Sequence, residues 1–220
     1  MEKNKMKILV IAAHPDDEVL GMGGTILKHI DQGDEVFVCM MTKGYEPDWT
    51  KEFIKNKIVE AEKVDKFLGV KKRFFCGFPT ARLNTIPHGE ISKGVRNVIN
   101  EVKPDIIYTH SEKDIHEDHR IIFNSVMVAS RPITENKIKI ICFEILSSSE
   151  WNHKSFCPNY YVDIEKYIEK KIKAFSIYES EVREYPHPRS KKGIEILAKK
   201  RGMEVCIPYA ESFKIIREFW

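Results

Sequence analysis

The sequence predicts an α/β chain: a doubly wound, Rossmann-like, mostly parallel sheet flanked by helices, with a C-terminal elaboration. Short apolar runs alternate with segments of helical spacing through the first two thirds. Turn and cap residues such as Gly33 and Gly69 fall between them. Two clusters of acidic residues and histidines follow the first and fourth apolar runs, at the strand ends where open α/β sheets place their sites.

Lys7 to Ala13 reads as the first strand, because Ile8-Leu9-Val10-Ile11-Ala12-Ala13 is apolar throughout, as in a strand covered on both faces. Val19 to Gln32 has helical spacing and stops at Gly33. Glu35 to Met41 is the second strand, and the charged amphipathic stretch Glu52 to Leu68 is a helix ended by Gly69. Arg73 to Gly77 is a third strand and His88 to Val102 a helix. Asp105 to Thr109 is the fourth strand, His116 to Ser130 the helix after it, and Lys137 to Glu144 the fifth strand. Right-handed crossovers put all these strand C-termini on one edge. Farther on, Ser147 to Pro158 is polar and aromatic without a period, while Ile164 to Glu181 and Lys191 to Arg201 look helical. With no repeat, linker or low-complexity tract, residues 1–220 are expected to form one domain.

The 42% of apolar residues supports a real core, and 36 basic against 33 acidic residues give a formal charge of only +3. Neither nucleic acid nor a membrane surface is called for, and no apolar stretch reaches spanning length. The basic N-terminus is followed by too short an apolar run for a secretory signal. The five cysteines show no C-x-x-C and read as reduced thiols in a cytoplasmic protein. A homo-oligomer is left open.

The first cluster is His14-Pro15-Asp16-Asp17-Glu18, and the second is His110 followed by Asp114, His116, Asp118 and His119. A catalytic zinc site takes three protein ligands from His, Asp, Glu or Cys and keeps a position for water. His14 and Asp17, spaced H-x-x-D, reach one point in front of the strand, and His119 is the natural third ligand. Asp16 is left beside the ion as general base. His116, one turn from His119, is placed to protonate a leaving group or stabilise an oxyanion, oriented by Asp118 or Asp114. Alone, either cluster is more often structural or accidental, Asp16-Asp17-Glu18 as helix-capping acids and His110 as a strand-end residue with no task. Both at strand ends of one chain point to metal-assisted hydrolysis.

These residues also resemble a family. Ala13-His14-Pro15-Asp16-Asp17-Glu18, Leu20-Gly21-Met22-Gly23-Gly24 and the later His116-x-Asp118-His119 are similar to the LmbE/PIG-L family of zinc-dependent N-acetylglucosaminyl deacetylases. Gly33-Asp34, Leu68-Gly69-Val70, Phe78-Pro79 and Ala210-Glu211-x-Phe213 extend the likeness over most of the chain. The resemblance implies zinc, or ferrous iron or another divalent ion, on His14, Asp17 and His119. It implies Asp16 as base and His116 as oxyanion support or acid, backed by Asp118. The implied substrate is a small N-acetylated amino sugar, cut to acetate and free amine. Many members have Arg where Lys57 stands and Asp where Thr80 stands. Lys57, Arg82, Arg131 and Glu211 are candidate hydroxyl or phosphate contacts, each with a surface salt bridge as the competing role. Specificity is expected from loops Lys43 to Thr50, Phe78 to Asn84 and Ser147 to Phe156.

Other readings are weighed against this one. Hydrolysis of another amide or ester would use the same residues. A ferrous oxygenase shares the two-histidine, one-carboxylate set, but Asp16 would be spare. A dinucleotide-binding protein lacks G-x-G-x-x-G at its first turn; Gly21, Gly23 and Gly24 fall inside the helix and suit close helix–sheet packing. A non-enzymatic binding protein would not need ligands, base and acid together.

Overall fold

The computed structural model describes residues 5–133 and 137–220. Seven strands form one sheet in the order β3-β2-β1-β4-β5-β7-β6. They are β1 (Lys7–Ala12), β2 (Glu35–Lys43), β3 (Lys72–Pro79), β4 (Ile106–Thr109), β5 (Lys139–Phe143), β6 (Tyr160–Asp163) and β7 (Ala210–Arg217). The helices are α1 (Asp17–Asp31), α2 (Lys51–Leu68), α3 (His88–Val102), α4 (Glu117–Ala129), α5 (Ile168–Phe175) and α6 (Lys191–Met203).

The first five strands are parallel. β1 is the first of them in sequence and pairs with both β2 and β4, so the chain winds outward in two directions from it. Between β1 and β4 the crossovers part to opposite faces and leave a crevice at the strand C-termini. Residues Ile8 to Ala13 have no exposed surface, as a central parallel strand requires. One apolar cluster, built on Ile8, Val10, Phe143 and Phe175, packs on one face; another, built on Leu9, Ile11, Ile91 and Ile107, packs on the other.

The C-terminal elaboration completes the sheet. β7 inserts antiparallel between β5 and β6. Neither β6 nor β7 is anticipated by the apolar-run pattern. The helical expectation over Ile164 to Glu181 contracts to α5, because Ile164 N–H is used in a hydrogen bond to the Tyr209 carbonyl and the chain turns again after Phe175.

The glycines of α1 do permit close packing. A Cβ on Gly21 would stand 2.6 Å from the Phe143 ring, and one on Gly24 would stand 2.8 Å from Ile164. The helix breaks at Met22 (φ −153°, ψ 26°), which frees the N–H groups of the next turn. No described helix is long and apolar enough to cross a membrane.

Candidate metal and catalytic site

The first motif leaves β1 at Ala12 and enters α1 at Asp17; the second leaves β4 at Thr109 and enters α4 at Glu117. Because β1 and β4 are neighbours, the two motifs meet. Ala13 N–H donates to His110 Nε2 at 2.8 Å, tying the strand ends together.

His14 Nδ1, Asp17 Oδ2 and His119 Nε2 form a nearly equilateral triangle. The separations are 3.3 Å from His14 to Asp17, 3.4 Å from Asp17 to His119 and 3.3 Å from His119 to His14. A tetrahedral ion with bonds of about 2.0–2.1 Å has ligand atoms roughly 3.3–3.4 Å apart. The triangle therefore fits one face of such a coordination shell. Asp17 Oδ1 is buried without a hydrogen-bond partner among the described residues, a further sign of a position made for a cation.

Each of the two histidines has a carboxylate at its other nitrogen. Asp118 Oδ2 lies 3.1 Å from His14 Nε2, and Asp114 Oδ1 lies 3.1 Å from His119 Nδ1. A carboxylate behind a ligating histidine fixes its tautomer and ring orientation; at His14 the contact is a hydrogen bond, and at His119 it is a close approach without hydrogen-bond geometry. Asp118 is held in turn by the N–H groups of Ala81 (2.7 Å) and Leu83 (3.3 Å). Asp114 accepts from the Ser148 and Ser149 hydroxyls and from His116 N–H. His110 is buried and stacks on His119 at a centroid distance of 3.8 Å. Its Nε2 lone pair is used by Ala13, so it supports His119 without joining the triangle.

The electrostatics match a cation site. Burial lowers the His14 pKa, but hydrogen bonds to Asp118 and Asp17 outweigh it and raise the value to about 10. Burial works upward on Asp17, yet the surrounding histidines hold it well below the usual carboxylate range.

Beside the triangle is a cleft of about 300 Å³ lined by His14, Asp16, Lys57, His116, His119 and Arg189, among others. All three expected loops contribute: Gly44 and Trp49, Thr80 and Ala81, Ser147 and Ser148. Asp16 is 2% exposed; its φ of 131° is a strained conformation for a non-glycine residue, the kind that collects at functional sites. Burial raises its pKa well above the usual value, against the pull of Arg189. His116 caps α4, with Nδ1 accepting from Asp118 N–H at 3.2 Å. Its neutral form thus carries the proton on Nε2. Burial and the nearby His14 and His119 push its pKa down to about 4.

Some expectations are corrected. The Asp118 carboxylate contacts His14 and loop amides, not the His116 ring; what His116 receives from Asp118 is a backbone N–H. Arg131 lies past the end of α4, about 18 Å of helix from His119 at 1.5 Å per residue. Its Nε donates to the Val128 carbonyl, as cations at helix C-termini do. Glu211 is 4% exposed and outside the cleft. Its oxygens accept from Gly24 N–H (2.9 Å), Thr25 N–H (2.6 Å) and Lys171 Nζ (2.7 Å), so it caps the turn freed by the break in α1. Arg82 does not line the cleft; it pairs with Asp48 at 3.3 Å and covers the Tyr45 ring. Lys57 does line it, with Nζ 2.8 Å from Glu181 and 3.1 Å from Glu60. Arg189 and Glu181 enter the site unannounced. Arg189 lies in the short stretch Pro186-His187-Pro188-Arg189-Ser190, whose residue types point to no particular chemistry by themselves.

The chain is 28% identical over 183 residues to the uncharacterized deacetylase YaiS of Escherichia coli K12, covering 80% of this chain and 93% of that protein. It is 29% identical over 192 residues to diacetylchitobiose deacetylase of Thermococcus kodakarensis, covering 80% and 70%. The crystal structure of N,N'-diacetylchitobiose deacetylase from Pyrococcus horikoshii superposes with a TM-score of 0.76 at 26% identity, covering 97% of this chain and 84% of that one. Residues 9–130, which hold both motifs, match the family model described as PIG-L, GlcNAc-PI de-N-acetylase, and the chain belongs to the PIG-L (LmbE-like) family.

Proposed function

We propose that this protein is a zinc-dependent deacetylase that removes the acetyl group from an N-acetylglucosamine-type amino sugar or its conjugate. The triangle of His14, Asp17 and His119, with a carboxylate behind each histidine and Asp16 beside it in an open cleft, is the observation that carries the reading. Family membership and the deacetylases among its relatives support it.

When bound to these three residues, zinc supplies a Lewis acid for the acetamide carbonyl and lowers the pKa of water toward neutrality. The chain's own residues do the rest. Asp16 accepts a proton from the attacking water as oxygen bonds to the carbonyl carbon. His116, neutral and protonated at Nε2, donates a hydrogen bond to the carbonyl oxygen as charge builds there. The carbon–nitrogen bond then breaks, and the proton held by Asp16 passes to the leaving nitrogen. Acetate and a free amine result. Trp49 and Phe53 give the cleft an aromatic wall for a sugar ring.

The test is acetate release from a panel of N-acetylhexosamines, their glycosides and nucleotide sugars, using zinc-loaded protein. Acetate and free amine in equal amounts are expected from at least one compound. Cleavage of an ester or peptide through the same residues, with no acetate from any sugar, would overturn the deacetylase assignment and keep the hydrolase.

A further inference from the structure

Arg189 comes to the cleft from a segment that neither motif contains. Its backbone is fixed on both sides. The N–H of Arg189 donates to His187 Nδ1 at 3.1 Å, and the next residue, Ser190, caps α6 through Gly193 N–H at 2.9 Å. The guanidinium is fixed as well. Nε donates to Ser147 Oγ at 2.7 Å, and one terminal nitrogen donates to Glu181 Oε2 at 3.0 Å and to Asp16 Oδ2 at 3.1 Å. The other oxygen of Glu181 is tied to Lys57 on α2 at 2.8 Å. A chain of alternating charge thus runs from α2 through Glu181 and Arg189 to Asp16.

Among the described residues, Arg189 is the only group hydrogen-bonded to the Asp16 carboxylate. The Asp16 backbone is set by its strained φ and by the first turn of α1, where Val19 and Leu20 N–H donate to its carbonyl. Those contacts leave the side-chain torsions free. Arg189 takes Oδ2 and leaves Oδ1 without a protein partner.

We propose that Arg189 is the positioning residue for Asp16, holding Oδ2 so that Oδ1 is presented to the reacting water in one orientation. This rests on the functional reading above, in which Asp16 is the base. Glu181 and Ser147 hold Arg189 in register, and Lys57 holds Glu181. Arg189 acts through Asp16: its Nε and one terminal nitrogen are committed to protein acceptors, one of them the Asp16 carboxylate. Misplacing a reacting group by about 1 Å costs on the order of 10²-fold in rate.

The experiment uses the full chain loaded with zinc and an N-acetylated sugar that the wild type deacetylates. Arg189→Ala should lower kcat by about 10²-fold. KM and metal content should change little. Millimolar methylguanidinium should restore part of kcat to Arg189→Ala and none to Asp16→Asn, a result that a merely structural arginine would not give. Wild-type kcat in Arg189→Ala, a loss confined to KM, or no rescue of a folded, metal-loaded variant would each overturn the proposal. Should Arg189→Ala fail to fold, Glu181→Ala and Ser147→Ala carry the test. Each removes one anchor of the guanidinium and should give a smaller fall in kcat at constant KM; unchanged kcat in both overturns it. Wild-type acetate release separates the two ideas. Its absence overturns the functional reading, whereas its presence alongside full activity in Arg189→Ala overturns this inference alone.

Discussion

His14 Nδ1 and His119 Nε2 stand 3.3 Å apart although 105 residues separate them in sequence. Two imidazole nitrogens at that distance, with Asp17 Oδ2 equally close to both, are spaced as the ligands of one small ion. Removing either histidine leaves two donors and exposes a buried carboxylate. His14→Ala and His119→Ala are expected to be purified with little zinc, and the wild type with about one ion per chain. Elemental analysis after exhaustive dialysis checks this. Full occupancy in both variants would exclude the triangle as the binding site.

Asp118 gives a sharper test, because its carboxylate touches His14 Nε2 and two loop amides. Asp118→Asn should weaken zinc binding by about 10–100-fold, the usual effect of losing a carboxylate behind a ligating histidine. Competition with a chromophoric chelator measures it. Had Asp118 served His116 instead, zinc affinity would stay at the wild-type value and only kcat would fall.

Asp16 should separate chemistry from metal binding. Asp16→Asn removes the proton acceptor and keeps shape and volume, so zinc content and fold should be unchanged while turnover falls by 10²-fold or more. Acetate release at saturating substrate is the readout. A zinc-loaded Asp16→Asn protein with near-normal kcat would remove Asp16 from the reaction.

What the sequence makes legible follows from locality. The parallel core is readable because each strand is a short apolar run with its own helix and cap, and the triangle is readable because its members lie inside two contiguous motifs at strand ends. β7 is not, because it is buried on both faces and carries Glu211 on one and Ser212 on the other, which break the apolar pattern that marks the other strands. For the same reason Glu211 resembles a site acid in the sequence: a buried carboxylate that caps a broken helix and one that contacts substrate look alike until the fold shows Gly24, Thr25 and Lys171 around it. The Arg189–Asp16 contact spans 173 residues and rests on one side chain from each end of the chain, so no local pattern announces it.

Glu211 therefore belongs to stability. Its carboxylate satisfies two N–H groups at the break in α1 and is the ion-pair partner of Lys171, itself 4% exposed. Glu211→Ala strands a buried ammonium and two amides at once. Breaking one side of such a buried pair costs about 3–5 kcal/mol. The urea midpoint should drop accordingly, and α1 should loosen near Met22, seen as faster amide exchange at Gly24 and Thr25. Glu211→Gln, which keeps one acceptor oxygen for the amides and loses the charge opposite Lys171, should fall between the wild type and Glu211→Ala. Lys171→Met in the Glu211→Gln background should recover stability, because it removes the buried ammonium that has lost its counter-charge. A substrate-contact role for Glu211 would give the opposite pattern: a raised KM in a protein whose urea midpoint matches the wild type.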